Sequence, residues 1–184
     1  MTVERTTYKN TRAAVRAVLN GRDVRGGHAI RRYMCAPLPE PGGMALDAGC
    51  GVGQGALLLQ NRGYAVHAFD RSAAARRLMT LAGIPFAVST LEAYAPAERF
   101  NLITACDVIV HLEDPGAVLA RMRAWLAPGG RLYVAVPIEG EASPNPYHLH
   151  AWTRSGFLNL MAERWTLDRL FDGAPDNNLW GLWR

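Results

Sequence analysis

The sequence predicts an α/β fold, doubly wound around a mostly parallel sheet, on three observations. From Met44 onward, short apolar runs alternate with helix-period segments, the pattern of strands covered on both faces. The first apolar run passes at once into a glycine-rich turn. The chain of 184 residues, 49% hydrophobic and 20% charged, is ordinary for one globular domain.

The elements follow in order. Met44 to Ala48 is the first strand and Gly53 to Asn61 the first helix, ended at Gly63. Tyr64 to Phe69 is the second strand. Ser72 caps a helix running to Ala82, and Gly83-Ile84-Pro85 stops it. Phe86 to Ser89 and Phe100 to Ala105 are the third and fourth strands. Asp114-Pro115 opens a helix in the favourable cap-then-proline order, continuing to Leu126. Pro128-Gly129-Gly130 then turns the chain into a fifth strand, Arg131 to Val136. After a polar, proline-rich loop from Ile138 to Tyr147, Thr153 caps a helix to about Ala162. Trp165 to Phe171 and Leu179 to Trp183 close the sheet as an antiparallel pair across a turn-rich segment, giving seven strands in all.

Ahead of the sheet, helical patterns cover Thr11 to Leu19 and Val24 to Met34, and Pro37, Pro39, Pro41, Gly42 and Gly43 form a linker. Residues 1–43 hold too few apolar side chains for a core of their own, so they are expected to lie as a helical lid on a main domain of residues 44–184. The formal charge is +4, concentrated between Met1 and Cys35, where eight basic residues meet only Glu4 and Asp23. Such an arm attracts anions, and its plain reading is a solvated helix face. Arginine outnumbers lysine nineteen to one, which weakens arguments from single arginines.

Some classes are disfavoured. No apolar run reaches the roughly 20 residues of a membrane span, and no apolar stretch follows the N-terminus, so a cytoplasmic location is expected. Cys35, Cys50 and Cys106 are odd in number and lack C-x-x-C spacing, pointing to reduced thiols rather than disulfides or zinc. The five tryptophans read as core or sheet residues, and the basic arm has only Tyr8 and Tyr33 as aromatics, so a base-stacking platform for nucleic acid is unsupported. Oligomeric state is not legible.

The chemistry starts at Leu46-Asp47-Ala48-Gly49-Cys50-Gly51-Val52-Gly53, where a strand turns into a helix while its backbone stays open to close approach. Gly51-Val52-Gly53-Gln54-Gly55-Ala56 also satisfies the dinucleotide pattern G-x-G-x-x-A, leaving a nicotinamide-dependent oxidoreductase as an alternative. Asp47 discriminates: an acid ahead of the glycines suits an ammonium and repels a pyrophosphate. Asp70, ending the second strand, suits ribose hydroxyls with either cofactor.

These segments, with Val66-His67-Ala68-Phe69-Asp70, Phe100-Asn101-Leu102-Ile103 and Leu126-Ala127-Pro128-Gly129-Gly130, resemble class I S-adenosylmethionine-dependent methyltransferases, of the small-molecule group that includes ubiquinone-biosynthesis O-methyltransferases. The resemblance runs from about Ala45 to Arg184 and implies a Rossmann-like sheet. It further implies that Asp47, Gly49, Cys50, Gly51 and Gly53 surround the methionine portion, that Asp70 takes the ribose and that Arg71 lies along the adenine. Where the family often has an acid for the adenine amino group, Ser89-Thr90-Leu91 stands here, so Thr90 and Leu91 are the expected contacts. The carbonyl of Ala105 or Cys106 is expected to receive the methionine ammonium, and Asp107 to serve there or as a helix cap.

A sulfonium leaves neutral and needs no general acid, but an oxygen or nitrogen acceptor needs a base, for which histidine is suited. His111 stands where relatives have the histidine of a Glu-His pair, its glutamate replaced by Val110; the valine argues against a metal. His148 and His150, in Pro146-Tyr147-His148-Leu149-His150, fall on opposite faces if extended. No acid or cysteine adjoins the His-x-His pair in sequence, so no metal is expected there either. Asn145-Pro146-Tyr147-His148 resembles a segment of methyltransferases associated with polysaccharide assembly. His67 and His28 read as structural and arm residues. The expectation is thus metal-independent methyl transfer to a small molecule or glycan precursor, with His111 or His148 as base. A non-catalytic cofactor-binding module remains the further alternative.

Overall fold

The computed structural model describes residues 38–173 and 177–184. The lid helices, the basic arm, Cys35 and His28 therefore lie outside the described residues. The strands are β1 (Met44–Ala48), β2 (Ala65–Asp70), β3 (Phe86–Val88), β4 (Phe100–Cys106), β5 (Leu126–Pro137), β6 (Leu167–Gly173) and β7 (Asn178–Trp183). The helices are α1 (Gln54–Asn61), α2 (Arg76–Ala82), α3 (Pro115–Trp125) and α4 (Arg154–Ala162). The fold is a seven-stranded mixed sheet, as the strand pattern predicts, and the strands lie in the order β3-β2-β1-β4-β5-β7-β6. The chain forms two compact units, divided between Tyr94 and Ala95.

In the first unit β1 pairs parallel with β2, and β2 with β3. β1 is buried along nearly its whole length, with Ala45, Leu46 and Ala48 fully covered, as a central parallel strand must be. α1 buries Ala56, Leu57, Leu58 and Leu59. Ser72 does cap, but what it caps first is a single 3-10 turn, Ala73–Ala75, its Oγ accepting from the Ala74 N–H at 3.1 Å, and α2 follows. Gly83 closes α2 with φ 67°, a left-handed C-cap.

In the second unit β4 pairs parallel with β5, while β7 pairs antiparallel with both β5 and β6. Leu132 to Val136 are all fully buried, so the centre of β5 is a continuous apolar run between its neighbours. The caps expected at both helices form: Asp114 Oδ1 accepts from the Ala117 N–H at 2.8 Å, and Thr153 Oγ1 from the Gly156 N–H at 3.0 Å. One difference concerns Pro128-Gly129-Gly130, expected as a turn ahead of β5. The strand instead begins at Leu126, opposite Phe100, and the next pair is Leu102 with Arg131, so the glycines form a bulge inside it. Gly129, at φ 76°, supplies the left-handed residue the bulge requires.

Candidate functional site

The glycine loop is tied to the end of β2 by backbone and side chain together. The Gly49 and Cys50 N–H groups both donate to the Phe69 carbonyl, at 2.9 and 3.0 Å. The Gly51 N–H donates to Asp70 Oδ2 at 2.8 Å, and the Ser72 N–H to Asp70 Oδ1 at 2.8 Å. Asp70 thus ties the glycine loop through Oδ2 and is itself oriented by Ser72 through Oδ1, and each oxygen keeps a lone pair for a further donor. Gly49, Gly51 and Gly53 all take positive φ. At Gly53, where φ is 87°, an added Cβ would also come within 2.4 Å of the Met79 Cε packed beneath it. Around Gly51 none of the described residues stands within 4 Å of such a position, so among them that side of the loop is open to a ligand.

The electrostatics of this loop are acidic. Asp47, only 2% exposed, ends up buried near the close of β1. Burial first, and then the charges of Asp47 and Asp70, push the Cys50 thiol far up from its ordinary value. Cys50 therefore stays protonated and inert, and a negative potential covers the loop. An anionic pyrophosphate is disfavoured here, whereas a cationic ligand is favoured. A sulfonium with an α-ammonium fits that potential, the open face at Gly51 and the remaining lone pairs of Asp70.

The other expected adenine-side residues fall in the same unit. Arg71 is exposed beside Asp70, and Leu91 is 7% exposed. The Thr90 hydroxyl accepts from the Ala93 N–H at 3.3 Å and retains its own proton to donate. Phe69 stacks on Tyr94 with ring centroids 3.9 Å apart, a contact that fixes the segment after β3.

The second unit carries Cys106, His111 and His148. Cys106 ends β4, half-buried opposite Ala135, and Asp107 follows at φ 54°, a left-handed kink. The 3-10 turn Ile109–His111 has Val108 at its N-cap and no capping side chain, so the reading of Asp107 as a helix cap is not met. Val110 is fully buried, and its carbonyl accepts from the Leu149 N–H at 2.8 Å and the His150 N–H at 3.2 Å. That pairing holds the His-x-His segment against the turn bearing His111. The segment is further seated by a run of rings: His150 stacks on Trp152, Trp152 meets Phe157, and Phe157 of α4 meets Trp183 of β7.

The two candidate bases come together, their rings edge to face with centroids 4.9 Å apart. Their nitrogens are used differently. His111 Nδ1 lies 2.8 Å from the Tyr147 carbonyl, which can only accept, so the proton of the neutral ring sits on Nδ1 and Nε2 keeps its lone pair. His111 is exposed. His148 Nδ1 lies 2.8 Å from Glu139 Oε2, and Asn145 Nδ2 lies 2.9 Å from His148 Nε2. The Asn145 amide is oriented because its Oδ1 accepts from the Tyr147 N–H at 3.0 Å. Asn145 therefore donates to Nε2, and both nitrogens of His148 are occupied. His150 points elsewhere, Nε2 to the Leu112 carbonyl at 2.8 Å.

Glu139 is the residue that sequence reasoning missed. No acid adjoins the His-x-His pair in sequence, but the loop folds Glu139 back from nine positions upstream onto His148. Burial acts to raise its pKa. Hydrogen bonds from the Ser143 hydroxyl and His148, with the positive potentials of His148 and His111, outweigh that and hold it below the ordinary 4.5. A carboxyl depressed in the folded state contributes stability above its unfolded pKa and loses it as the pH falls through the folded value. Glu139→Gln is accordingly expected to flatten the fall in thermal stability below about pH 4.5, measured by acid titration of Tm; an unchanged acid limb would contradict the pairing. Among the described residues, no cluster of three or more His, Cys, Asp or Glu is placed to hold a metal ion. Among them, too, no helix is long and apolar enough to cross a membrane.

Comparison with known proteins bears on the whole chain. The family model described as "Methyltransferase domain" matches residues 24–174. The ubiquinone biosynthesis O-methyltransferase of Bradyrhizobium sp. (strain ORS 278) is 38% identical over 96 residues, covering 49% of this chain and 38% of that protein. Phosphoethanolamine N-methyltransferase 3 of Arabidopsis thaliana is 29% identical over 116 residues, 58% of this chain and 24% of that protein. The matches thus span less than half the length of these curated relatives. In structure, the chain is similar to Burkholderia thailandensis 1,6-didemethyltoxoflavin-N1-methyltransferase, solved with 1,6-didemethyltoxoflavin and S-adenosylhomocysteine. The TM-score is 0.70 at 23% identity, over 95% of this chain and 86% of that one. It is also similar to the N-methyltransferase NodS of Bradyrhizobium japonicum WM9, solved with S-adenosylhomocysteine, with a TM-score of 0.66 at 19% identity over 94% and 86%. Both likenesses are likenesses of fold.

Proposed function

This chain belongs to the methyltransferase-domain family, and from that premise we propose that it binds S-adenosylmethionine on the loop Asp47–Gly53 and methylates an oxygen or nitrogen of a small molecule or glycan precursor. The observation that carries the donor side is the acidic loop itself. Gly51 is open and clamped to Asp70, and the charges of Asp47 and Asp70 act on Cys50 between them. The dinucleotide reading of the same glycines is disfavoured by Asp47, whose carboxylate a pyrophosphate would face, while Asp70 suits the ribose of either cofactor.

When bound, the cofactor supplies a methyl group on a sulfonium whose leaving group departs neutral. The remaining work falls to the chain. Asp70 accepts hydrogen bonds from the ribose hydroxyls while it holds the loop, and Asp47 offsets the positive charge of the methionine portion. Arg71, Thr90 and Leu91 border the adenine, and the carbonyl at Cys106 receives the ammonium. His111 Nε2 takes the proton of the acceptor as the new bond to the methyl group forms. Tyr147 fixes the tautomer that makes this nitrogen the basic one. His148, occupied by Glu139 and Asn145, positions the His111 ring by edge-to-face contact.

The test is an assay of metabolite extracts with S-adenosylmethionine labelled on its methyl group. A labelled small molecule is the expected product, and it names the acceptor directly. The absence of any labelled product across extracts that contain glycan precursors and quinone precursors, together with intact S-adenosylhomocysteine binding, would favour a non-catalytic module. Turnover is expected to be unchanged in a chelator. Loss in chelator with recovery on adding magnesium would show that a metal, and not His111 alone, activates the acceptor.

A further inference from the structure

Away from the histidines, the second unit holds a cleft of about 800 Å³ lined by the bulge Pro128-Gly129-Gly130 and by Arg99, Arg123, Arg131 and Arg184. It lies where β4 and β5 begin, whereas Cys106 and Pro137 mark the opposite ends of those strands. Two of the four guanidinium groups pair with the Asp168 carboxylate, Arg131 through Oδ2 and Arg184 through Oδ1 at 3.2 Å. Among the described residues, Arg99 and Arg123 make no ion pair at all. Like charges lining one cleft repel one another, and a bound anion offsets that repulsion.

The guanidinium groups are also held in place before any ligand arrives. Arg99 Nη1 donates to the Ala124 carbonyl and, at 3.5 Å, to that of Leu126. Arg123 Nη2 donates to the Arg164 carbonyl and, at 3.4 Å, to the Arg184 main-chain oxygen, and its guanidinium lies over the Trp165 ring, 4.5 Å from the centroid. A plain reading makes Arg99 a cap for the end of α3 and Arg123 a tie from α3 to the main chain at Arg164 and Arg184. These contacts use one terminal nitrogen of each, however, and a guanidinium carries five N–H donors, so each keeps a free edge. An ordered arginine with a free edge is suited to bidentate contact with a phosphoryl or carboxyl group.

The geometry points to this cleft as a second ligand site, for a phosphorylated small molecule bearing at least two negative charges. Its volume lies within the roughly 300–1,000 Å³ usual for small-molecule sites. Among the described residues no aromatic side chain lines the cleft, and Trp165, the ring that Arg123 covers, is only 5% exposed, so no free face is offered for stacking a nucleobase. That favours a small ligand over a nucleic acid. The site needs neither the donor loop nor His111 and does not depend on the acceptor's identity.

Pyrophosphate is the probe, titrated calorimetrically at physiological ionic strength against the full chain and against Arg99→Gln and Arg123→Gln. Binding is expected in the unsubstituted protein and is expected to weaken about tenfold or more in each variant, with S-adenosylhomocysteine affinity unchanged. Because Arg123 packs on Trp165, its variant is read only if its Tm is retained; Arg99→Gln, at an exposed position, carries the test alone otherwise. Equal binding in Arg99→Gln would place the anion elsewhere, on the basic N-terminal arm for example, and overturn the proposal. No binding by the unsubstituted protein would do the same. A single-stranded oligonucleotide that outcompetes pyrophosphate through these arginines would replace the small ligand with nucleic acid.

Discussion

Replacing Asp70 with alanine is expected to lower affinity for S-adenosylhomocysteine by about 100-fold or more. The carboxylate accepts from the Gly51 and Ser72 N–H groups at 2.8 Å each, and a hydrogen bond to a charged group contributes about 1.5–3 kcal/mol, while each 1.4 kcal/mol is tenfold in affinity. Its loss acts twice. The loop loses the side-chain anchor of Gly51, and the proposed ribose contact disappears with it. Asp70→Asn keeps one accepting oxygen and turns an amide N–H toward the other donor, so an intermediate loss is expected. Calorimetric titration reads both variants, with circular dichroism as the check on folding. A folded Asp70→Ala protein that binds S-adenosylhomocysteine like its parent would remove Asp70 from the donor site.

The glycine turn was largely legible because a sharp strand-to-helix turn constrains residue type at fixed places. A strand that turns sharply into a helix needs glycine, and Gly49, Gly51 and Gly53 all take positive φ there; the hydrogen bond from Gly51 to Asp70 was not read from the sequence. Helix starts were equally readable, since Asp114 and Thr153 cap through their own side chains within three residues. The bulge at Gly129 was not, because a proline-glycine pair signals a break in the ladder without saying whether the strand resumes. Glu139 was illegible for a stronger reason. Its contact with His148 is made across an irregular loop, where no period relates one residue to another. The difference between His111 and His148 lies deeper still, in the orientation of one asparagine amide set by the Tyr147 N–H.

That difference yields the prediction with the most direct bearing on mechanism. His111→Ala is expected to reduce kcat by about 10²–10⁴-fold, the usual contribution of a positioned general base, while leaving S-adenosylhomocysteine affinity intact. Exogenous imidazole is expected to restore part of the rate, because alanine leaves room for a diffusible base beside the Tyr147 carbonyl. His148→Ala should behave otherwise. It strands the Glu139 carboxylate, half of a pair whose side chains are only 11% and 12% exposed, so its cost is felt first in Tm. The ring of His111 also loses its edge-to-face neighbour, and a smaller fall in kcat follows that imidazole does not reverse. The two variants thus separate a group that takes the proton from one that holds it in place. Rescue of His148→Ala by imidazole, with His111→Ala unaffected in rate, would exchange the two roles and require Asn145 to release Nε2 during turnover.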